Sequence, residues 1–334
     1  MEGTEMRLPR GQLPVPSLHR LGWPDRLSAA PEVLPGRVVL LFLWDFAQVE
    51  SLRVLPYLRA WHGRHASNGL SVLGVLLPRL GFGRDPFWTR RILDQMGLPF
   101  PVAVDRDLDL WEALGTPPIP SAYLVDRTGF LADCLVERGP WPPFEQSIQA
   151  LLREGHGPLV FPPVIEPLRP EDQTGFVPQV ITPPVPFGYL QGRLGNPEGF
   201  SPDQVVQYPA GEPEHRGSAW MEGAFRNLPD AQEHAEGESA LVRIDYEARV
   251  VWLVASPARA GRVGRVQVRQ DGVALARELR GDDLPTSGEE AILEVPLPGV
   301  FQIVRNPAVG PHRLVLRSLT PGLRFHRLEF TEHP

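Results

Sequence analysis

Four residues around one turn have the types and spacing to be considered for chemistry: Trp44, Asp45, Gln48 and Ser51. The Ser51 hydroxyl becomes a nucleophile only beside a base, and Gln48 has no ionisable group. Asp45 is the only acid of the four, and we interpret it as a turn or helix-capping residue. The turn therefore lacks the thiolate that sulfur chemistry requires, and we predict no catalytic residue in it.

A buried strand and a helix are expected to hold this turn. Residues 38–44, VVLLFLW, form an apolar run with the length of a strand covered on both faces, far short of the roughly 20 residues of a membrane span. From Val49 onward, Leu52, Leu55 and Leu58 recur at helical spacing. The turn is thus predicted at the carboxyl end of a strand and at a helix N-terminus, where α/β sheets usually present functional groups.

The rest of the chain offers few reactive groups. Cys134 is its single cysteine, which excludes an intramolecular disulfide and a cysteine-rich metal site. It lies in a predicted strand beside Asp133, without a neighbour that lowers a thiol pKa, so we expect it to serve in packing. His62 and His65 are spaced as on a helix, but no metal-binding pattern accompanies them, and we expect a solvated helix end. We therefore predict neither a metal nor a cofactor.

Composition limits the class of protein. The chain has 334 residues and a net charge of −7, and all 33 of its basic residues are arginine. The length favours about two domains, and an acidic chain without a basic run argues against nucleic acid as a partner. The N-terminus has no positively charged start followed by an apolar stretch, so we expect a cytoplasmic protein without a secretory signal or a membrane span.

The stretch from the strand into the helix resembles the thioredoxin-like domain of the TlpA and DipZ type of thiol–disulfide oxidoreductase, a domain of the redoxin or AhpC/TSA type. That family has a buried strand, Trp, Cys-x-x-Cys and then Leu-Arg-x-Leu-Pro-Tyr-Leu, and Trp44 and residues 52–58, LRVLPYL, match it. The alignment puts the two family cysteines on Gln48 and Ser51, so Gln48-Val49-Glu50-Ser51 replaces Cys-x-x-Cys. Disulfide exchange needs an attacking thiolate and a resolving thiol, and we expect this activity to be absent.

Further matches extend the resemblance along the chain. Residues 100–105, FPVAVD, and Trp111 match a family motif and the Trp-containing helix that follows it. Pro120 matches the cis-proline that lies beside the active-site turn in thioredoxin-like domains. The resemblance implies that Ile119 and Pro120 form a surface which, in relatives, pairs with an extended peptide substrate. Such a surface could still bind a protein segment after the sulfur chemistry was lost.

The sequence divides into four predicted parts. They are an N-terminal arm whose Trp23 and Leu34 dock on the first domain (1–37), an α/β thioredoxin-like domain (38–154), a Pro-rich linker or strap (155–186) and an all-β sandwich of the jelly-roll or carbohydrate-binding-module type (187–334). Short alternating segments separated by turn signals are the basis for the last assignment.

The β-rich part also resembles the carbohydrate-binding-module-like domain that follows the thioredoxin domain in DipZ-type proteins. Gly188-Tyr189-Leu190 and residues 266–272, VQVRQDG, are among the matching motifs. Sugar binding would require exposed aromatic rings, and Tyr208 and Trp220, which lie in loop-like sequence, are the candidates. Packing between the domains is the alternative role of both rings.

We therefore expect a thioredoxin-like protein that is redox-inactive and not an enzyme, and that binds or assembles with a protein partner through its cis-proline surface and its β-sandwich. Two alternatives stay open. One is a thiol-dependent oxidoreductase or peroxidase that uses Cys134, and the other is a carbohydrate-binding accessory protein that uses Tyr208 and Trp220.

Overall fold

The computed structural model describes residues 36–136, 141–154, 159–259 and 261–334. The predicted N-terminal arm, including Trp23 and Leu34, lies outside these residues except for its last two positions. The chain divides into two compact units, 1–176 and 177–334. Among the described residues, no helix has the length and apolar character needed to cross a membrane.

The first unit is an α/β fold built on a mixed five-stranded sheet. Its elements are β1 (Val38–Trp44), α1 (Val49–His65), β2 (Leu70–Leu76), α2 (Gly81–Arg84), α3 (Pro86–Met96), β3 (Val102–Val104), α4 (Asp109–Ala113), β4 (Ser121–Val125), β5 (Leu131–Val136) and α5 (Trp141–Arg153). The strand order is β3-β2-β1-β4-β5. β1 pairs in parallel with β2 and antiparallel with β4, and all seven of its residues are buried. The apolar run therefore forms the central strand.

After the second strand, the sequence predicts a loop over 78–84 and a helix over 86–96 with Pro in its first turn. The first stretch instead contains the short helix α2, where Phe82 packs against Phe46 with ring centroids 5.8 Å apart. The second stretch is α3, which has the predicted bounds. Asp85 Oδ1 accepts a hydrogen bond from the Phe87 N–H at 2.9 Å, which caps the helix N-terminus.

The second unit is all-β. Its strands are β6 (Val185–Pro186), β7 (Val205–Tyr208), β8 (Ala219–Asn227), β9 (Gln232–Ser256), β10 (Gly264–Gln270), β11 (Val273–Ala274), β12 (Ala291–Val295), β13 (Gly299–Ser318) and β14 (Arg324–Thr331). They form one nine-stranded, mainly antiparallel sheet. The predicted fold classes, α/β followed by all-β, are thus confirmed.

Two strands of this unit are much longer than the sequence indicates. The predicted strands at 241–246 and 249–255 are parts of β9, which has 25 residues, and those at 301–304 and 312–317 are parts of β13, which has 20. Asn306-Pro307 has the composition of a turn, but it lies in an irregularity of the pairing between β13 and β9. The long strands continue because each supplies the other with a pairing partner on both sides of this irregularity.

The sheet of the second unit folds back on itself. Arg324 at the start of β14 pairs with both Glu233 and Ser256, which lie near opposite ends of β9. The His234 N–H also donates to the Leu323 carbonyl at 2.9 Å. The bend of β9 encloses a single apolar core, as expected for a two-layered β fold.

Part of the predicted Pro-rich segment, residues 159–176, packs on the first unit. From here on, the strap means residues 159–176. The Tyr57 hydroxyl donates to Asp172 Oδ2 at 2.6 Å, and the Arg53 guanidinium lies 2.6 Å from Glu171 Oε1. Both helical partners are on α1, whose outer face the strap therefore covers.

Candidate functional site

The turn after β1 is closed by hydrogen bonds among its own residues. Asp45 Oδ1 accepts from the Ala47 N–H at 2.8 Å, and the Gln48 N–H donates to the Asp45 carbonyl at 3.1 Å. The Ser51 hydroxyl accepts from the Asp45 N–H at 3.2 Å and donates to Gln48 Oε1 at 2.9 Å. These bonds place Asp45 in the predicted role of a turn residue and join the two positions where the family carries cysteines.

Gln48 also joins the turn to the loop that contains Pro120. Its Nε2 donates to the Ile119 carbonyl at 3.1 Å, and the Ile119–Pro120 peptide bond is cis. Pro120 is buried, and Ile119 is only 8% exposed. The two parts of the candidate site therefore lie together, and the Ile119 carbonyl has an intramolecular hydrogen-bond partner.

Trp44 belongs to the core and does not face the solvent. Its side chain is fully buried and stacks on Phe42 with ring centroids 6.4 Å apart. A Cβ at Gly74 on the neighbouring β2 would lie 3.1 Å from Trp44 Nε1, so this glycine makes room for the indole. The Trp44 side chain packs in the core beside the turn and is not part of a binding surface.

The turn contains no thiol, so it has no reactant for disulfide exchange. Ser51 is fully buried, and the hydrogen-bond partners of its hydroxyl are an amide oxygen and a backbone N–H, neither of which is a general base. The part of the chain that the structure describes contains no cluster of three or more His, Cys, Asp and Glu residues that could hold a metal ion.

Cys134 lies in β5, directly across from Tyr123 of β4. Burial, followed by the negative charge of Asp133, raises the pKa of the Cys134 thiol above its ordinary value of 9.0. A raised pKa disfavours the thiolate, which is the reactive form. The environment of this cysteine is that of a packed side chain.

The two aromatic residues predicted as sugar contacts are in strands rather than loops. Tyr208 ends β7, is 1% exposed, and donates its hydroxyl to Asn227 Oδ1 at 2.8 Å. Trp220 lies in β8 and donates its indole N–H to the Pro209 carbonyl at 3.1 Å. A Cβ at Gly211 would lie 2.3 Å from the Trp220 ring, so the backbone there covers the indole. Tyr208 is therefore not free to stack on a ligand, and the chain at Gly211 packs against the half-exposed Trp220 ring.

A buried contact between His65 and Glu145 holds the far end of α1. His65 is fully buried, against the expectation of a solvated helix end, and its Nε2 lies 2.8 Å from Glu145 Oε1. The two residues are 80 positions apart. No local pattern marks such a pair, because the acidic partner comes from α5.

Comparison with known proteins relates both units to one group. A family model described as the thioredoxin-like C-terminal domain matches residues 184–331. DipZ of Mycobacterium bovis and DipZ of Mycobacterium tuberculosis are each 24% identical over 259 residues, 75% of this chain and 35% of each DipZ protein. The chain thus spans about a third of the length of these relatives.

Another relative matches a shorter part of the chain. The thiol–disulfide oxidoreductase ResA of Halalkalibacterium halodurans is 25% identical over 96 residues, 29% of this chain and 52% of ResA. Among solved structures, a thiol–disulfide isomerase from Corynebacterium glutamicum matches with a TM-score of 0.36 and 20% identity, over 45% of this chain and 98% of its own. These sequence matches support a thioredoxin-like protein that is similar to DipZ and ResA and that contains a single cysteine.

Proposed function

We propose that this protein is a redox-inactive thioredoxin-fold module that binds a protein partner and does not exchange disulfides. One observation carries the proposal: the positions of the two family cysteines hold Gln48 and Ser51, which hydrogen bond to each other at 2.9 Å. The only thiol, Cys134, has a raised pKa and belongs to a different strand. Neither half of the dithiol reaction then has a reactant in the turn.

The surface around Ile119 and Pro120 is the first proposed binding surface, and the β-rich unit is the second. An extended segment that pairs with the Ile119 carbonyl would have to replace the Gln48 amide, whose Nε2 donates to that oxygen at 3.1 Å. Such an exchange of one hydrogen bond for another costs little, because a typical intramolecular hydrogen bond contributes only about 1 kcal/mol net. Gln48 is thus the side chain that an incoming segment would displace.

The redox half of the proposal is tested with a disulfide-reduction assay on insulin in the presence of dithiothreitol. We expect the wild-type protein to match the background rate. The double variant Gln48→Cys/Ser51→Cys should exceed the background, because it restores a dithiol at a helix N-terminus in the family fold. Catalysis by the wild type that disappears in Cys134→Ser would overturn the proposal in favour of a thiol-dependent enzyme.

The binding half is tested by affinity capture from native lysate with the wild type and Gln48→Arg, which adds bulk and charge beside the Ile119 carbonyl. A partner that binds the wild type and is lost in Gln48→Arg supports the Ile119–Pro120 surface. Gln204→Arg is the matched control, since Gln204 is exposed and lies in the second unit. A partner lost only in Gln204→Arg would move the interface to the β-rich unit, and capture of no partner by the wild type would contradict the binding role.

A further inference from the structure

The outer face of α3 carries an aromatic ring and two arginines where a surface helix usually carries small or mixed polar residues. Phe87, Arg90 and Arg91 are all exposed and recur at helical spacing, while Thr89 and Ile92 on the opposite face are buried. Phe87 is 47% exposed, so its ring adds little to the core of the first unit. An exposed aromatic residue beside arginines is the composition of interface hot spots.

The side chains on this face of α3 contact one another. The rings of Phe87 and the half-buried Trp88 meet edge to face, with centroids 5.1 Å apart. The Arg91 guanidinium carbon lies 5.4 Å from the Phe87 ring centroid, which is a cation–π contact. The face is therefore ordered before any partner arrives, which lowers the entropic cost of binding.

The charge around this face is positive. Residues 79–96 contain four arginines and two acidic residues, Asp85, whose carboxylate caps α3, and the exposed Asp94. Within the described ranges, the four arginines form no ion pair. The whole chain carries a net charge of −7, so this local excess of positive charge is the reverse of the average.

We propose that the α3 basic patch, which consists of Arg84, Phe87, Trp88, Arg90 and Arg91, docks an acidic segment of a partner protein. Arginine forms paired hydrogen bonds with carboxylates, and the aromatic pair offers an apolar contact for a side chain between them. This docking goes beyond the proposed function, since it uses no residue of the Gln48 turn.

The dimensions and charge of the chain favour a short acidic peptide over a nucleic acid. A helix of 11 residues is about 16 Å long, which matches a short segment. A long polyanion would extend past the patch onto a chain of net charge −7 and be repelled. A peptide in which carboxylates alternate with an apolar residue complements both the arginines and the aromatic pair of the patch.

The test uses the full-length protein and a fluorescein-labelled short peptide of alternating Glu and Leu with one central Trp. Fluorescence anisotropy measures the affinity of the protein for this peptide. We expect Arg90→Gln/Arg91→Gln and Phe87→Ala each to weaken binding about tenfold, because truncation of a hot-spot residue has effects of this size. The same peptide with Gln in place of Glu should not bind, and salt should weaken the binding of the acidic peptide.

Arg265→Gln/Arg317→Gln is the matched control. Both arginines are exposed and lie on the sheet of the second unit, and this double substitution removes the same charge as Arg90→Gln/Arg91→Gln. We expect this control to retain wild-type affinity. Equal losses in both double variants, or no binding by the wild type, would overturn the proposal. Stronger binding of an oligodeoxythymidylate at the same patch would replace it with a nucleic-acid site. A Gln48→Arg variant that still binds the peptide separates this docking from the function proposed for the turn.

Discussion

Nε2 of His65 lies 2.8 Å from Oε1 of Glu145, and both side chains are fully buried. The second carboxylate oxygen accepts the Ile165 N–H at 2.8 Å, and the Arg64 guanidinium lies 3.3 Å from the first. The carboxylate of α5 thus joins the end of α1 to the strap. Its buried hydrogen-bond partners come from two separate parts of the first unit, α1 and the strap.

This contact predicts a pH dependence of stability. Burial would raise the pKa of Glu145, but the hydrogen bonds from His65 and Ile165 and the charge of Arg64 outweigh it and lower this pKa below 4.5. A lowered pKa stabilises the fold above the unfolded value, and the contribution is lost as pH falls through the folded-state pKa. We expect Glu145→Gln to reduce the free energy of unfolding by about 3 kcal/mol at neutral pH, and less below about pH 4.

Urea unfolding followed by tryptophan fluorescence at both pH values measures this difference. Glu112→Gln is the control, because Glu112 is exposed and its loss should change little. A difference between the wild type and Glu145→Gln that stays constant or grows at low pH would contradict the assigned role of the carboxylate.

Removal of the Tyr57 hydroxyl should loosen the strap. This hydroxyl donates to Asp172 Oδ2 at 2.6 Å and accepts from the Leu168 N–H at 2.7 Å. We expect Tyr57→Phe to cost about 1–2 kcal/mol and to speed proteolytic cleavage in the strap, since the buried Asp172 carboxylate and the Leu168 N–H each lose a partner. Limited proteolysis with mass spectrometry locates the cuts. Tyr189→Phe, in the second unit, should leave the pattern unchanged.

Arg280 organises a long loop of the second unit and is 7% exposed. Its guanidinium donates to five backbone carbonyls, those of Leu275, Pro285, Ser287, Gly288 and Glu289. We expect Arg280→Ala to destabilise this unit by about 3 kcal/mol, and Arg280→Lys to restore only part of the loss, because an ammonium cannot reach five acceptors in a plane.

Hydrogen exchange across residues 275–289 is the measurement that checks this loss. Arg277→Ala is the control, since Arg277 lies on the same turn but is exposed. Equal exchange rates in Arg280→Ala and Arg277→Ala would contradict this expectation. They would show that water replaces the hydrogen bonds from Arg280 to the five carbonyls without loss of stability.

We expect the Cys134 thiol to react slowly with a disulfide reagent. Because burial and then Asp133 raise its pKa above 9.0, little thiolate is present at neutral pH. We expect a disulfide reagent to label the folded protein several-fold more slowly than the urea-unfolded protein, with a pH midpoint above 9.0. Cys134→Ser supplies the blank. Labelling of the folded state that is faster than labelling of the unfolded state would instead support the thiol-dependent enzyme.

The sequence by itself determined the elements whose signals are local. The run 38–44 is apolar at every position, and a buried strand tolerates only that pattern, so β1 could be predicted to the residue. Asp85 before Pro86 and Gly97 after Met96 mark the ends of α3, because capping depends on a few neighbouring residues. The absence of paired cysteines was also readable directly, since it is a matter of composition.

Only the tertiary structure decided the contacts between distant residues. Gln48 and Ile119 are 71 positions apart, and Tyr57 and Asp172 are 115 apart, so no periodicity links them. The lengths of β9 and β13 were likewise set by their mutual pairing and not by their composition. Local sequence determines which conformation a segment favours, whereas burial and hydrogen bonding across the fold determine which side chains meet.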